Sequence, residues 1–441
     1  MKYIVTLIIL ITTIAMGDYT LEISKRTKSR IDRLPRGKVA DMWRIPQNTS
    51  YYTKQIVPYS NYEVDKNFDR FKRLYFMPWS LYSLDIEPQD FGWEVRFVTK
   101  KPIYKENGKV IPSYIYKRWI KNAQMHKQNS IGDYGITIRH TDVKAFPTNS
   151  RFYRDPKKVG EGFPFDYNQN SSLHINVPLY ISHYSKDHRW AFVRASYSFG
   201  WVKVQDIALV DSKFIRDFKL GLYAMSIKDN LRVYNEKHHN ISLVKLGALF
   251  PYDSVNDSYL IATKNYMGKA KIKKIKVKNK NIIAKIPLPF TSKNVAKIAK
   301  EFYNEPYGWG GGYECRDCSA TTRDFMGVFG VFLHRNSSKQ AKDGSQIYIK
   351  GLNKYQKKQA IIQNAKPFRS LLYVPGHIVL YLGKYKNEPV IMHTYWGIRK
   401  KDGSKIITAR TIITSTEPGK ERRDVKEKSK LINTFKYIVN F

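Results

Sequence analysis

The stretch "YECRDCSATTRDFMGVFG", residues 313 to 330, holds the only two cysteines of the chain, Cys315 and Cys318, spaced C-x-x-C. Such a pair supports three chemistries: half of a zinc site, a redox couple, or a loop that delivers one reactive thiol to the start of a helix. A structural zinc needs four ligands, yet there is no second cysteine pair, and His238 and His239 sit in an unrelated polar stretch. The redox reading has the spacing, but the flanking sequence lacks a thioredoxin-like βαβ pattern. The third reading fits better. A glycine-rich turn precedes the pair, and a helix with Ala320, Phe325 and Phe329 facing inward follows it. Asp317 is suited to cap that helix, placing Cys318 in the first turn, where free N–H groups and the helix dipole favour a thiolate and lower the thiol pKa. Cys315 lies before the helix and lacks that advantage.

A nucleophilic thiol needs a base, and the base needs a group to orient it. "VPGHIVLYLGKY" offers His377 at the mouth of an apolar strand, and "PVIMHTYWG" offers His393 sixteen residues later on the next. A short hairpin brings both to one end of a sheet beside the helix.

The elements that must hold this site extend over a long chain. At 441 residues it is too large for one core, and about three domains are expected. Its composition is globular, 42% apolar, with a formal charge of +40 that calls for anionic surroundings. The start, "MKYIVTLIILITTIAMG", combines a basic second residue, an apolar run from Tyr3 to Ile14 and a small-x-small ending. It is shorter than the roughly 20 residues of a membrane span and reads as a cleaved signal for export, leaving no transmembrane anchor. Export sets nucleic acid aside as a partner and leaves a membrane surface or an acidic wall polymer. Two cysteines are too few for a disulfide scaffold.

The region 18–128 is rich in Tyr, Trp and Pro, with Phe68, Phe71, Leu74 and Tyr75 at helical spacing. "KPIYKENGKVIP" reads as extended chain about an Asn-Gly turn. From 129 to 212 short alternating strands predict a small β-barrel, and 213–286 a second, weaker one. In the second, Ile272, Ile275, Val277, Ile282, Ala284 and Ile286 supply a buried face, and the lysines between them a solvated one. Pro287 and Pro289 then mark a linker, and Thr291 or Ser292 a helix cap. Residues 287–441 alternate helix and strand and contain the chemistry.

"YGWGG", "RDCSA", "HRNSSKQAKDG", "GHIVLYLG" and "VIMHTYWG" together resemble the NlpC/P60 family of papain-like cysteine peptidases. "FMPW", "RHTDVKAFPT" and the stretch from "FDYNQNSSLHINVPLY" to "GWVKVQDIA" are similar to the bacterial members with an N-terminal stabilising domain and two SH3-like barrels. The resemblance implies a multidomain α+β fold: signal peptide 1–17, stabilising domain 18–128, SH3-like barrels 129–212 and 213–286, and a catalytic domain 287–441. It implies Cys318 as nucleophile, His377 as base and His393 as the group orienting it, with Tyr307, Trp309, Asp317 and Ser319 lining the substrate pocket. The expected activity is hydrolysis of peptidoglycan stem peptides in the periplasm or cell envelope, at the amide between γ-D-glutamate and the following diamino acid, with no metal or cofactor and by a monomer. A non-catalytic wall-binding protein, or an amidase or transacylase using the same triad, are the alternatives. Two departures stand out: Cys315 occupies a place where a small residue is usual, and His334 one where proline is usual. In an oxidising compartment Cys315 could pair with Cys318 and silence it.

Overall fold

A computed structural model describes residues 19–34 and 36–441. The expected signal segment lies outside the described residues, and no described helix is long and apolar enough to cross a membrane.

The helical spacing near residue 70 becomes the helix Asn61–Phe76, which buries Phe71, Tyr75 and Phe76. It starts at a capping box: Ser60 Oγ accepts from the Glu63 N–H at 3.3 Å, and Glu63 accepts from the Ser60 N–H at 2.9 Å. The chain then turns through Met77–Ser80, where Trp79 donates from Nε1 to the Gly135 carbonyl at 2.8 Å. That bond fastens the N-terminal region to the first β-module. The Asn-Gly turn closes a bridge between Tyr104 and Val110.

The first module is a seven-stranded sheet whose edges are Gln169–Leu173 and Ile207–Leu209, an open order rather than a closed ring. The second gathers seven strands between Tyr223 and Lys285, and takes its eighth from the beginning of the described chain. Tyr19–Ile23 runs antiparallel to Leu231–Tyr234 and parallel to Ala270–Lys276, so Leu21 enters that module's core beside Val233 and Ile275. On the lysine-rich strand Ile275 is buried while its neighbours Lys274 and Lys276 are exposed, the two-faced pattern the alternation requires.

The C-terminal region folds as a six-stranded antiparallel sheet with the helix Cys318–Val328 against the strands His377–Tyr385 and Glu388–Arg399. Thr291 caps the preceding helix, Ser292–Phe302, by accepting from the Asn294 N–H at 3.3 Å. One hydrophobic cluster runs through all four regions, from Phe71 and Trp79 through Leu179 and Met225 to Phe325 and Leu380. The regions therefore hold fixed positions around the site.

Candidate active site

The glycine-rich turn explains how the Cys318 helix meets the first β-module. Gly310 and Gly311 have φ of +59° and +83°, and a Cβ on either would lie 2.3 Å from the Gln169 carbonyl oxygen or 2.2 Å from Ser172 Oγ. Only glycine permits both the left-handed turn and this approach to the edge strand. Phe165 of the module completes the joint, its ring centroid 5.2 Å from Trp309 and 5.0 Å from Trp396.

Asp317 is the N-cap, as its position requires: Oδ1 accepts from the Ala320 N–H at 3.0 Å. Its other oxygen accepts from the Gly310 N–H at 3.1 Å and pairs with Arg335 at 2.6 Å. Arg335 also donates to Ser319 Oγ at 2.8 Å and to Ser171 Oγ of the first module at 3.1 Å. Arg335 belongs to the motif "HRNSSKQAKDG", in which the sequence alone marks no one residue out. An arginine beside a cap carboxylate and a serine that both flank the cysteine was the available signal. The helix is pinned to the sheet by a ladder of hydroxyls, Thr321 to Thr394 at 2.6 Å and Thr394 to Thr411 at 2.7 Å.

Cys318 lies in the first turn with its sulfur at the backbone N–H groups of Ile378 and Ser319, which places it beside the strand that His377 begins. His377 Nε2 is 3.0 Å from His393 Nδ1, and His393 Nε2 is 3.2 Å from Thr414 Oγ1. Tyr395 stacks on His393, ring centroids 4.7 Å apart, and lies 5.2 Å from His377. The hairpin thus brings both histidines to the sheet end next to the thiol. Thr414 and Tyr395 carried no sequence signal, since strand threonines and tyrosines are ordinary packing residues.

The electrostatics differ from the sequence expectation. Burial pushes the Cys318 thiol up to about 12 and Asp317 adds to it, against the Ile378 and Ser319 N–H groups and Arg335. Burial pulls His377 down to about 4, with Asp317 offsetting a part. Burial, then the neighbouring His377, hold His393 well below its usual value. Desolvation therefore outweighs the two N–H groups and the Arg335 charge that favour a thiolate, and thiol and imidazole rest as a neutral pair. The sign follows directly: the base is available above about pH 4, and thiolate accumulates only as pH approaches 12. Alkylation of Cys318 by iodoacetamide is accordingly expected to climb with pH through 9 with no plateau. A plateau at neutral pH would show a standing thiolate.

Both cysteines are free thiols. Cys315 is buried, its Sγ 3.2 Å from the Tyr313 carbonyl, in a setting of Glu305, Lys245 and Arg26, whereas Cys318 faces Ile378 and Arg335. The two sulfurs have different surroundings. His334 lines the site with Nδ1 2.8 Å from Asp343.

Tyr307, Trp309, Asp317, Cys318 and Ser319 all line one cavity of about 660 Å³, and Gly376, immediately before His377, lines it too. Its walls come from three regions: Asp85, Asp90, Trp93 and Phe97 from the N-terminal part, and Asn170, Arg194 and Phe199 from the first β-module. Two ion pairs tie the walls together, Asp85 to Arg194 at 2.6 Å and Asp90 to Lys339 at 3.1 Å.

Residues 5–127 match the NLPC_P60 N-terminal stabilising domain, 151–203 an SH3 domain of the SH3b1 type, and 304–410, which span the thiol and both histidines, the NlpC/P60 family. The chain belongs to the NlpC/P60 family. Among solved structures, an NlpC/P60 endopeptidase from Photobacterium damselae subsp. piscicida shares the fold of this NlpC/P60 protein with a TM-score of 0.80 at 22% identity, over 92% of this chain and 98% of that one. An NlpC/P60 family protein from Bacillus cereus aligns over 70% of this chain and 99% of its own, at 13% identity and a TM-score of 0.45. No curated protein matches the sequence. This NlpC/P60 protein is thus a multidomain α+β chain, as its motifs implied.

Proposed function

We propose that the protein is an exported peptidoglycan hydrolase that cuts stem peptides at the amide between γ-D-glutamate and the diamino acid, with Cys318, His377 and His393 as its catalytic machinery. One observation carries the reading: a thiol at a helix start, beside a strand whose histidine is hydrogen-bonded to a second histidine, on a walled cavity. His377 accepts the Sγ proton as sulfur attacks the carbonyl carbon, which suits a pair that is neutral at rest. Within the first turn the Ala320 and Thr321 N–H groups bond Asp317, and that of Ser319 faces the sulfur, so the Cys318 N–H is left to receive the oxyanion. Collapse of the tetrahedral adduct expels the diamino acid amine with the proton held by His377. Water, deprotonated by the same imidazole, then hydrolyses the thioester.

The cavity walls set the substrate length. With the N-terminal region and the first β-module closing over the site, short stem peptides fit better than cross-linked wall. Product analysis by mass spectrometry on disaccharide-tripeptides and on intact sacculi tests this. The expected result is cleavage at the γ-D-glutamyl bond of the small substrate and little release from sacculi. Equal turnover of both would remove the size argument, and cleavage elsewhere the bond assignment.

A further inference from the structure

The hydrogen bonds around Thr414 decide which nitrogen of each active-site histidine carries a proton. Thr414 is fully buried on the strand Lys405–Ser415, diagonal to His393 in the register that pairs His393 with Ile412. Its Oγ1 has two contacts, the Ser415 carbonyl at 2.8 Å and His393 Nε2 at 3.2 Å. A carbonyl only accepts, so the single hydroxyl proton goes to Ser415, and Oγ1 must accept from His393. That requires the Nε2–H tautomer of His393. Its Nδ1 is then a bare lone pair, 3.0 Å from His377 Nε2, which must supply the proton. With its proton on Nε2, His377 keeps an unprotonated Nδ1, the only ring nitrogen left for the thiol.

We infer that Thr414 is a positioning residue that fixes the tautomers of His393 and His377 in series, so that His377 presents a basic Nδ1 to Cys318. This rests on the reading of His377 as the base. Protons balance at each stage: during attack the Sγ proton moves to Nδ1, His377 becomes an imidazolium with Nε2–H still given to His393, and no proton leaves the Thr414 end. Thr414 touches no reacting atom. Tyr395 packs on both rings but supplies no preference between nitrogens, so the polarity of the chain originates at the threonine.

The test uses full-length protein labelled with 15N-histidine, read by long-range 1H–15N correlation without substrate, with assignments from His377→Gln and His393→Asn. The wild type is expected to show both histidines neutral and protonated at Nε2. Thr414→Val keeps the shape and removes the acceptor; it is expected to populate the Nδ1–H form at both rings and to lower kcat on a disaccharide-tripeptide about 10²-fold, within the range a general base contributes, with KM little changed. Thr414→Ser restores the hydroxyl and is expected to recover both readings. An Nδ1–H His377 in the wild type overturns the inference, as do Thr414→Val spectra identical to wild type or tautomers that shift while kcat does not. If Thr414→Val fails to fold, Thr414→Ala gives the same readings. Correct wild-type tautomers in a protein inactive on muropeptides would leave the threonine assignment standing and defeat the proposed function instead.

Discussion

Replacing Arg316 with methionine is expected to destabilise the protein by about 3–5 kcal/mol, the usual cost of breaking a buried charge cluster from one side. Arg316 lies two residues before Cys318, is almost fully buried, and pairs with three carboxylates: Asp229 at 2.6 Å, Asp324 at 2.6 Å and Glu305 at 3.0 Å. Burial alone would pull the guanidinium down, and Asp229, Glu305 and Asp324 overrule it. Lys245 adds a second cation, 2.9 Å from Glu305 and 3.1 Å from Asp229, and Arg323 a third, 2.7 Å from Asp324. Removing Arg316 leaves three buried carboxylates to two cations. Because Asp229 and Lys245 come from the second β-module and the others from the C-terminal region, the same change loosens the joint between them. Lysine is not expected to rescue, since a single ammonium cannot reproduce the fork that meets Asp229 through two nitrogens. Denaturant midpoints followed by tryptophan fluorescence read the effect; an unchanged midpoint for Arg316→Met would contradict it.

His377→Gln is expected to lower kcat by about 10²- to 10⁴-fold, the contribution of a general base, with the fold intact. His393→Asn is expected to lose much less, because a side-chain carbonyl in its place still accepts from His377 Nε2–H, whereas His393→Leu leaves that proton without an acceptor. The ordering separates the roles: one ring moves the proton, the other holds it in place. Equal losses in His377→Gln and His393→Asn would contradict the assignment. Steady-state turnover of a disaccharide-tripeptide measures all three variants.

What the sequence disclosed depends on how local the physics is. The Asp317 cap, the Cys318 position in the first turn and the hairpin that joins His377 to His393 follow from spacing within short stretches, and all appear in the structure. The thiol pKa did not follow. It depends on burial in the folded chain, which pushes the thiol up and which the spacing of a short stretch does not record. Tyr19–Ile23 could not be placed in the second β-module for a similar reason: its partners lie more than 200 residues away, and a five-residue strand carries no record of them. Arg335 was legible as a charged residue in a motif but not as the bridge between Asp317 and Ser171, which needs both regions in contact. Thr414 was not legible at all, because its importance lies in one hydroxyl proton.

The most direct measurement compares wild type with Cys318→Ala on a purified disaccharide-tripeptide, with products identified by mass spectrometry and binding followed in parallel. The account expects wild type to release the terminal diamino acid, and Cys318→Ala to bind the substrate and release nothing. Release of the same product by Cys318→Ala, or binding without cleavage by either protein, would contradict it.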